Sequence, residues 1–216
     1  MSTEEAIAAA PRLTRKGVAT RGRIVTAAAE LMFERGVAGT SLEDVQKAAG
    51  VSPSQVYHYF GDKRALVRAV IAVTTDAVLD AQEPLLSRLD SLEALRAWRD
   101  FMVAHQAERD CTGGCPIGSL GSELAGTDPV AREEVAAGFT RWGQSIHDGL
   151  RAMYERGELR RDADPGQLAL AVLAALQGGL LLTRVRRDTV ALEAGLDAML
   201  DHIAALCVTV PEPVEP

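Results

Sequence analysis

The sequence predicts an all-α protein of about nine helices, a small three-helix N-terminal domain with a larger helical domain behind it. Three observations carry this. No stretch sustains the alternate-residue pattern of a half-buried strand, and aromatics make up only 4% of the chain. Apolar residues recur instead at spacings of three and four. Helix starts and stops are marked throughout, with Ser52-Pro53, Asp128-Pro129 and Asp164-Pro165 as cap-then-proline starts and Gly36 and Gly50 as stops.

Residues 1–18 are Ala-rich and then basic (Arg12, Arg15, Lys16), have no apolar face, and read as a flexible arm. Residues 21–35 form a first helix with Ile24, Ala27, Ala28 and Leu31 on one side. A short helix spans Leu42–Ala49, capped by Thr40, which has capping-box spacing to Glu43, or by Ser41. The helix Pro53–Phe60 has Ser52 as its cap and Gln55 three residues on. Residues 63–81 continue as a long helix with Leu66, Val67, Val70, Ile71 and Val78 as its stripe. Further helices fall at 92–108, 117–125, 129–156, Pro165–Arg186 and Val190–Leu206. The Pro-rich end, 209–216, reads as a disordered tail.

At 216 residues and 47% hydrophobic content the chain can bury a sizeable core. Three cysteines do not make a disulfide scaffold, and no apolar secretory segment follows the N-terminus, so a reducing cytoplasm is expected. The most apolar run, residues 168–182, is shorter than the roughly 20 residues that span a bilayer. The net charge of −7 is unevenly spread: residues 1–70 hold 10 Lys/Arg against 7 Asp/Glu, the remainder 13 against 23. A basic module attached to an acidic one follows from that split.

The two short helices joined through Ala49-Gly50-Val51-Ser52 have the dimensions of a helix-turn-helix, whose second helix enters the DNA major groove. On a helical wheel Val56, Tyr59 and Phe60 cluster inward, while Ser54 and His58 point outward, flanked by Gln55 and Tyr57. Lys63 begins the next helix within reach of a phosphate, and Thr40 and Ser41 lie at a helix N-terminus that favours one. Arg12, Arg15, Lys16, Arg21 and Arg23 add positive charge. Tyr59 reads equally as a core aromatic, and Gln55 cannot serve its own cap and a phosphate equally well.

Residues 24–66, "IVTAAAELMFERGVAGTSLEDVQKAAGVSPSQVYHYFGDKRAL", resemble the DNA-binding domain of the TetR-like transcriptional repressors along their whole length. "GCPIGSL" is similar to the branch typified by lincomycin-resistance regulators. The resemblance implies base contacts from Pro53, Ser54, Tyr57 and His58, and phosphate contacts from Thr40, Ser41, Ser52, Gln55, Tyr59 and Lys63. Pro53 departs from the Lys or small polar residue common there, so apolar contact and DNA shape carry more of the readout. The domains expected are 1–18, arm; 19–66, helix-turn-helix; 67–208, effector binding and dimerisation; 209–216, tail. The expected partners are a double-stranded operator, a small-molecule effector and a second copy of the chain, with no membrane, metal or cofactor.

For the acidic half, Leu168, Val172, Leu176, Gly179, Leu192, Leu196, Met199 and Ile203 are read as a four-helix dimer interface, with burial inside one chain as the alternative. Trp98, Phe101, Met102, His105, Leu120, Phe139, Trp142 and Ile146 are read as plain core or as an apolar effector pocket, oriented by His105 and Gln177. By the resemblance, an effector there moves the fourth helix and releases DNA. A thiol or metal enzyme built on His105, Cys111 and Cys115 lacks any supporting motif, and no enzyme is expected. In "CTGGCPIGSL" Cys115 falls at a helix N-cap, where the dipole lowers a thiol's pKa, which leaves a redox-sensing regulator as the alternative function.

Overall fold

A computed structural model describes residues 13–208. The described residues form nine α-helices: α1 (Arg15–Arg35), α2 (Leu42–Ala49), α3 (Pro53–Phe60), α4 (Lys63–Asp80), α5 (Leu92–Ala107), α6 (Pro116–Leu124), α7 (Pro129–Glu155), α8 (Pro165–Arg186) and α9 (Val190–Leu206). A 3-10 turn at Leu86–Arg88 precedes α5, and the sole β-type pairing among them is an isolated bridge between Leu159 and Cys207. The chain divides into two compact units within α4, one ending at Val70 and the other starting at Ile71.

In the first unit α1 begins earlier than the sequence suggests. Thr14 accepts the N–H of Gly17 and starts the helix at Arg15, so Arg15 and Lys16 belong to α1 and not to a flexible arm. The Thr14 side-chain cap explains the difference. Arg12 and residues 209–216 lie outside the described residues. The core gathers Ile24, Val25, Ala28, Met32, Val45, Val56, Phe60, Leu66 and Val67. Gly50 closes α2 in the left-handed region at φ 61°, which glycine adopts without strain.

The second unit is organised around α8, which packs against α7 on one side and α9 on the other. Its central side chains are Leu95, Trp98, Trp142, Ile146, Leu150, Met153 and Leu176. On α4 the inward positions are Ile71, Thr75 and Leu79; the expected Val78 is only half-buried. Two close approaches set helix spacing. A Cβ on Gly179 of α8 would lie 2.7 Å from Leu192 Cα, and one on Gly149 of α7 would lie 2.2 Å from the Leu89 carbonyl oxygen.

At 22 residues α8 is longer than the apolar run read from the sequence, and length and composition alone would let it cross a bilayer. Its two packed sides and the half-buried Gln177 fit a helix at the centre of a bundle.

Seven of the eight residues expected at a dimer interface are turned into the chain's own core, the alternative that the sequence left open. Leu168, Val172, Leu176, Gly179, Leu192, Leu196 and Ile203 are buried within the chain and Met199 is half-buried. The outward face of α8 is a different stripe: Leu170 (69% exposed), Ala174, Gly178, Leu181, Leu182 and Val185 (70%). Because α8 is apolar all round, its composition carries no signal of which side meets the core.

Candidate functional site

α2 and α3 form the paired short helices, and each starts from a reciprocal cap. Ser41, not Thr40, caps α2: its hydroxyl accepts the Asp44 N–H at 3.1 Å, and the Asp44 carboxylate accepts the Ser41 N–H at 3.0 Å. The Ser41 hydroxyl, then its backbone N–H, holds the Asp44 carboxyl below the ordinary value of 3.8. Thr40 is 1% exposed and donates its hydroxyl to the Gly36 carbonyl at 2.8 Å, so it stabilises the turn after α1 and is not placed to hold a phosphate. A hydroxyl beside a helix start satisfies either role in a sequence; only burial separates them.

On α3 Ser52 caps the Gln55 N–H and Pro53 takes the first helical position. Gln55 Oε1 accepts the Ser52 N–H at 2.9 Å, which resolves the competition for this side chain: its oxygen serves the cap, and only the Nε2 group is left for a phosphate. Ser54 shares a hydrogen bond with Ser52 at 2.9 Å. Val56 and Phe60 are buried, whereas Ser52, Pro53, Ser54, Gln55, Tyr57 (56%) and His58 are all exposed. Tyr59 is half-buried, edge-on to His58 at 5.0 Å, with its hydroxyl beside Gly17 of α1. We expect Ser52→Ala to destabilise the first unit by about 1 kcal/mol, because the Gln55 N–H loses its side-chain acceptor and keeps only the Ser52 carbonyl. Thermal denaturation of the full chain, followed by helical circular dichroism, checks this.

Lys63 Nζ donates to the Val37 carbonyl at 2.6 Å and ties the start of α4 to the turn after α1. Two of its three donors remain. Arg23 is exposed on α1, and Arg21 stacks its guanidinium 5.2 Å over Phe60. Asp62, given no role from the sequence, accepts the Ala65 N–H at 2.7 Å and caps α4.

In the second unit Trp98 donates its indole N–H to Gln82 Oε1 at 2.9 Å, which makes it a paired core residue rather than a ligand contact. Met102, Leu120, Trp142 and Ile146 are also buried, while Phe101, His105, Phe139 and Gln177 are half-buried. His105 stacks on Phe101 at 5.7 Å. Around α6, Gly121 meets Val135 and Phe139 of α7, and Gly118 meets Gln177 of α8.

The loop before α6 is held by Gln106, a residue the sequence did not single out: buried, it accepts the Gly114 N–H at 3.2 Å. Asp110, Cys111 and Gly114 take positive φ there, so two non-glycine residues share the reversal expected from Gly113 and Gly114. Cys115 does cap α6, accepting the Gly118 N–H at 3.2 Å, but burial raises its pKa above 9.0 against the smaller opposing pull of that bond and of Gln177. The expected acidic thiol is therefore corrected: desolvation outweighs the helix terminus. All three cysteines are free, and among the described residues no group of three His, Cys, Asp or Glu side chains converges to hold a metal.

Two family models match this chain, the bacterial regulatory proteins of the tetR family over residues 24–70 and the tetracyclin repressor-like C-terminal domain over 91–199. The chain belongs to the TetR family. The TetR-family relatives include an uncharacterised HTH-type transcriptional regulator of Lactococcus lactis subsp. lactis, 30% identical over 83% of this chain and 91% of that one. The HTH-type transcriptional repressor DhaR of Mycobacterium sp. (strain GP1) is 27% identical over 85% and 91%. A solved TetR transcriptional regulator from Chloroflexus aurantiacus superposes with a TM-score of 0.79 at 29% identity, covering 90% of this chain and 98% of that one. This TetR-family member is thus a helix-turn-helix, DNA-binding transcriptional regulator, and α2 and α3 are its reading unit.

Proposed function

We propose that this regulator is a homodimeric repressor that reads a palindromic operator through α3 and is released by a small apolar effector held in its second unit. The observation that carries the reading is the outward set on α3, Pro53, Ser54, Tyr57 and His58, free of the core that Val56 and Phe60 enter. Ser54 and His58 supply hydrogen bonds to base edges, while Pro53 and the Tyr57 ring offer apolar contact to thymine methyls. Phosphates are held by the Leu42 and Glu43 N–H groups at the start of α2, by Gln55 Nε2, by the two remaining Lys63 donors and by Arg23.

Repression is carried over from relatives such as DhaR, whose name states it. The dimer is supported by the exposed stripe of α8, because a contiguous apolar face of this size on a helix is normally covered. A second copy is the occupant that also explains DNA reading, since two symmetric α3 helices match two half-sites. We place the protein in the cytoplasm, with the DNA it reads. The expected result with DNA from upstream of its own gene is as follows. His58→Ala lowers the ratio of operator to random-DNA affinity and leaves the salt slope unchanged. Arg23→Ala weakens both affinities alike and reduces the salt slope by about 1. Equal binding of operator and random DNA by the unaltered protein, in fluorescence anisotropy across a salt series, would exclude the reading.

A further inference from the structure

At the start of α3 the side chains of Ser52, Ser54 and Gln55 share one hydrogen-bonded network, and its protons have one consistent direction. The Ser52 N–H donates to Gln55 Oε1 at 2.9 Å, and since a backbone N–H only donates, this contact fixes which end of the amide is the oxygen. The Ser52 hydroxyl lies 3.3 Å from the same oxygen and is the donor there. A serine hydroxyl has a single proton. With that proton given to Gln55, Ser52 Oγ accepts in its other two contacts, from the Gln55 N–H at 3.3 Å and from the Ser54 hydroxyl at 2.9 Å. Ser54 is therefore the donor of the serine pair.

The reverse direction loses a bond. Were Ser52 to give its proton to Ser54, the oxygens of Ser52 and Gln55 would face each other at 3.3 Å with no proton between them. The forward order employs both hydroxyl protons and both lone pairs of Ser52 Oγ, and each bond in such a chain polarises the next.

The direction matters because of where Ser54 stands. It is exposed in the first turn of α3, on the side away from the buried Val56 and Phe60 and one turn before His58. In a helix-turn-helix the N-terminal residues of the second helix meet base edges. A lone serine hydroxyl pairs with either kind of base, but Ser54, with its proton spent on Ser52, offers lone pairs only. In the major groove adenine and cytosine present an amino donor, whereas guanine and thymine present acceptors alone. We propose that Ser54 is a hydrogen-bond acceptor that selects adenine or cytosine over guanine or thymine at one position under α3. Ser52 and Gln55 are positioning residues that set this polarity. The inference rests on α3 being the reading helix and names what one of its side chains reads. A guanine or thymine there either sets lone pairs against lone pairs or breaks the Ser54–Ser52 bond to turn the proton outward.

The test takes the full chain through selection on a random-sequence DNA duplex library, and measures the enriched site and its single-base variants by fluorescence anisotropy. At one position adenine or cytosine is expected to bind about tenfold more tightly than guanine or thymine. Ser54→Ala flattens that position and leaves the others, and Ser54→Thr, which keeps the hydroxyl, retains it. In Gln55→Met the Ser52 proton turns to Ser54, whose own proton is then free for a base, and the preference falls toward equality. The readout is a ratio of affinities at one position, so a uniform loss of phosphate contacts or of stability cancels. Should Gln55→Met fail to melt cooperatively, Ser52→Ala, which removes the acceptor of the Ser54 proton, carries the comparison with the same expected result. A Ser54-dependent position that prefers guanine or thymine, no position altered in Ser54→Ala, or a preference unchanged in Gln55→Met overturns the inference and leaves α3 as the reading helix. Failure of the unaltered protein to enrich any sequence overturns that reading, and the inference with it.

Discussion

Leu181→Glu is expected to convert the protein to a monomer and to abolish tight operator binding while leaving each chain folded. Leu181 is 62% exposed on the outer stripe of α8, so a carboxylate there is solvated in the free monomer. In a symmetric dimer the substitution appears twice, near its own mate, and both charges must be desolvated without a partner. That costs about 3–5 kcal/mol, or a loss of about two to four decades in dimer affinity. Operator binding then falls further, because the second half-site is no longer reached as an intramolecular event. Sedimentation velocity reads the mass and anisotropy reads the DNA affinity. The matched control is Leu176→Glu, at a fully buried position on the same helix, which should unfold the second unit instead of merely separating the copies. An unchanged dimer in Leu181→Glu would place the interface elsewhere.

Gly149→Ala should be the most damaging single-methyl change in the second unit. A Cβ at Gly149 would sit 2.2 Å from the Leu89 carbonyl oxygen and 2.5 Å from its carbon. Both are backbone atoms and cannot swing aside. The 3-10 turn must move away from α7, against the bond by which the Arg156 guanidinium, at the end of α7, donates to the carbonyl of Asp90 next to Leu89. We expect a loss of about 3 kcal/mol or more, read as a lower midpoint in urea or thermal denaturation. Gly126→Ala, where nothing lies within 4 Å, is the control and should change stability by less than about 1 kcal/mol. Equal midpoints for the two variants would mean that the turn is free to shift.

The helix ends written in local chemistry were legible. Ser52-Pro53 with Gln55, Asp128-Pro129 and Asp164-Pro165 start α3, α7 and α8 as their spacing requires, since a cap is a contact between residues two or three apart. Thr14 was missed because the composition around it looks like a tail, although its hydroxyl makes the same local bond. At the candidate site the outward side of α3 followed from the wheel, since Val56 and Phe60 leave one face for solvent. Thr40 and Gln55 did not follow. Each can serve the fold or a phosphate with the same atom, and the choice depends on neighbours that are brought in only when α1, α2 and α3 pack.

Cys115 shows the same limit in electrostatics. Its N-cap position is a local fact and was readable; the burial that reverses the direction of its pKa comes from the elements packed around it. The helices, their order and the paired short helices were legible because they are products of interactions within one or two turns. Tertiary structure alone decided the faces of α8. Its tandem glycines carry no difference in sequence, yet a Cβ on Gly179 would strike the Leu192 backbone and one on Gly178 meets nothing within 4 Å. A helix apolar on every side has no preferred inward face until α7 and α9 cover two of them, and the stripe they leave is the one open to a partner.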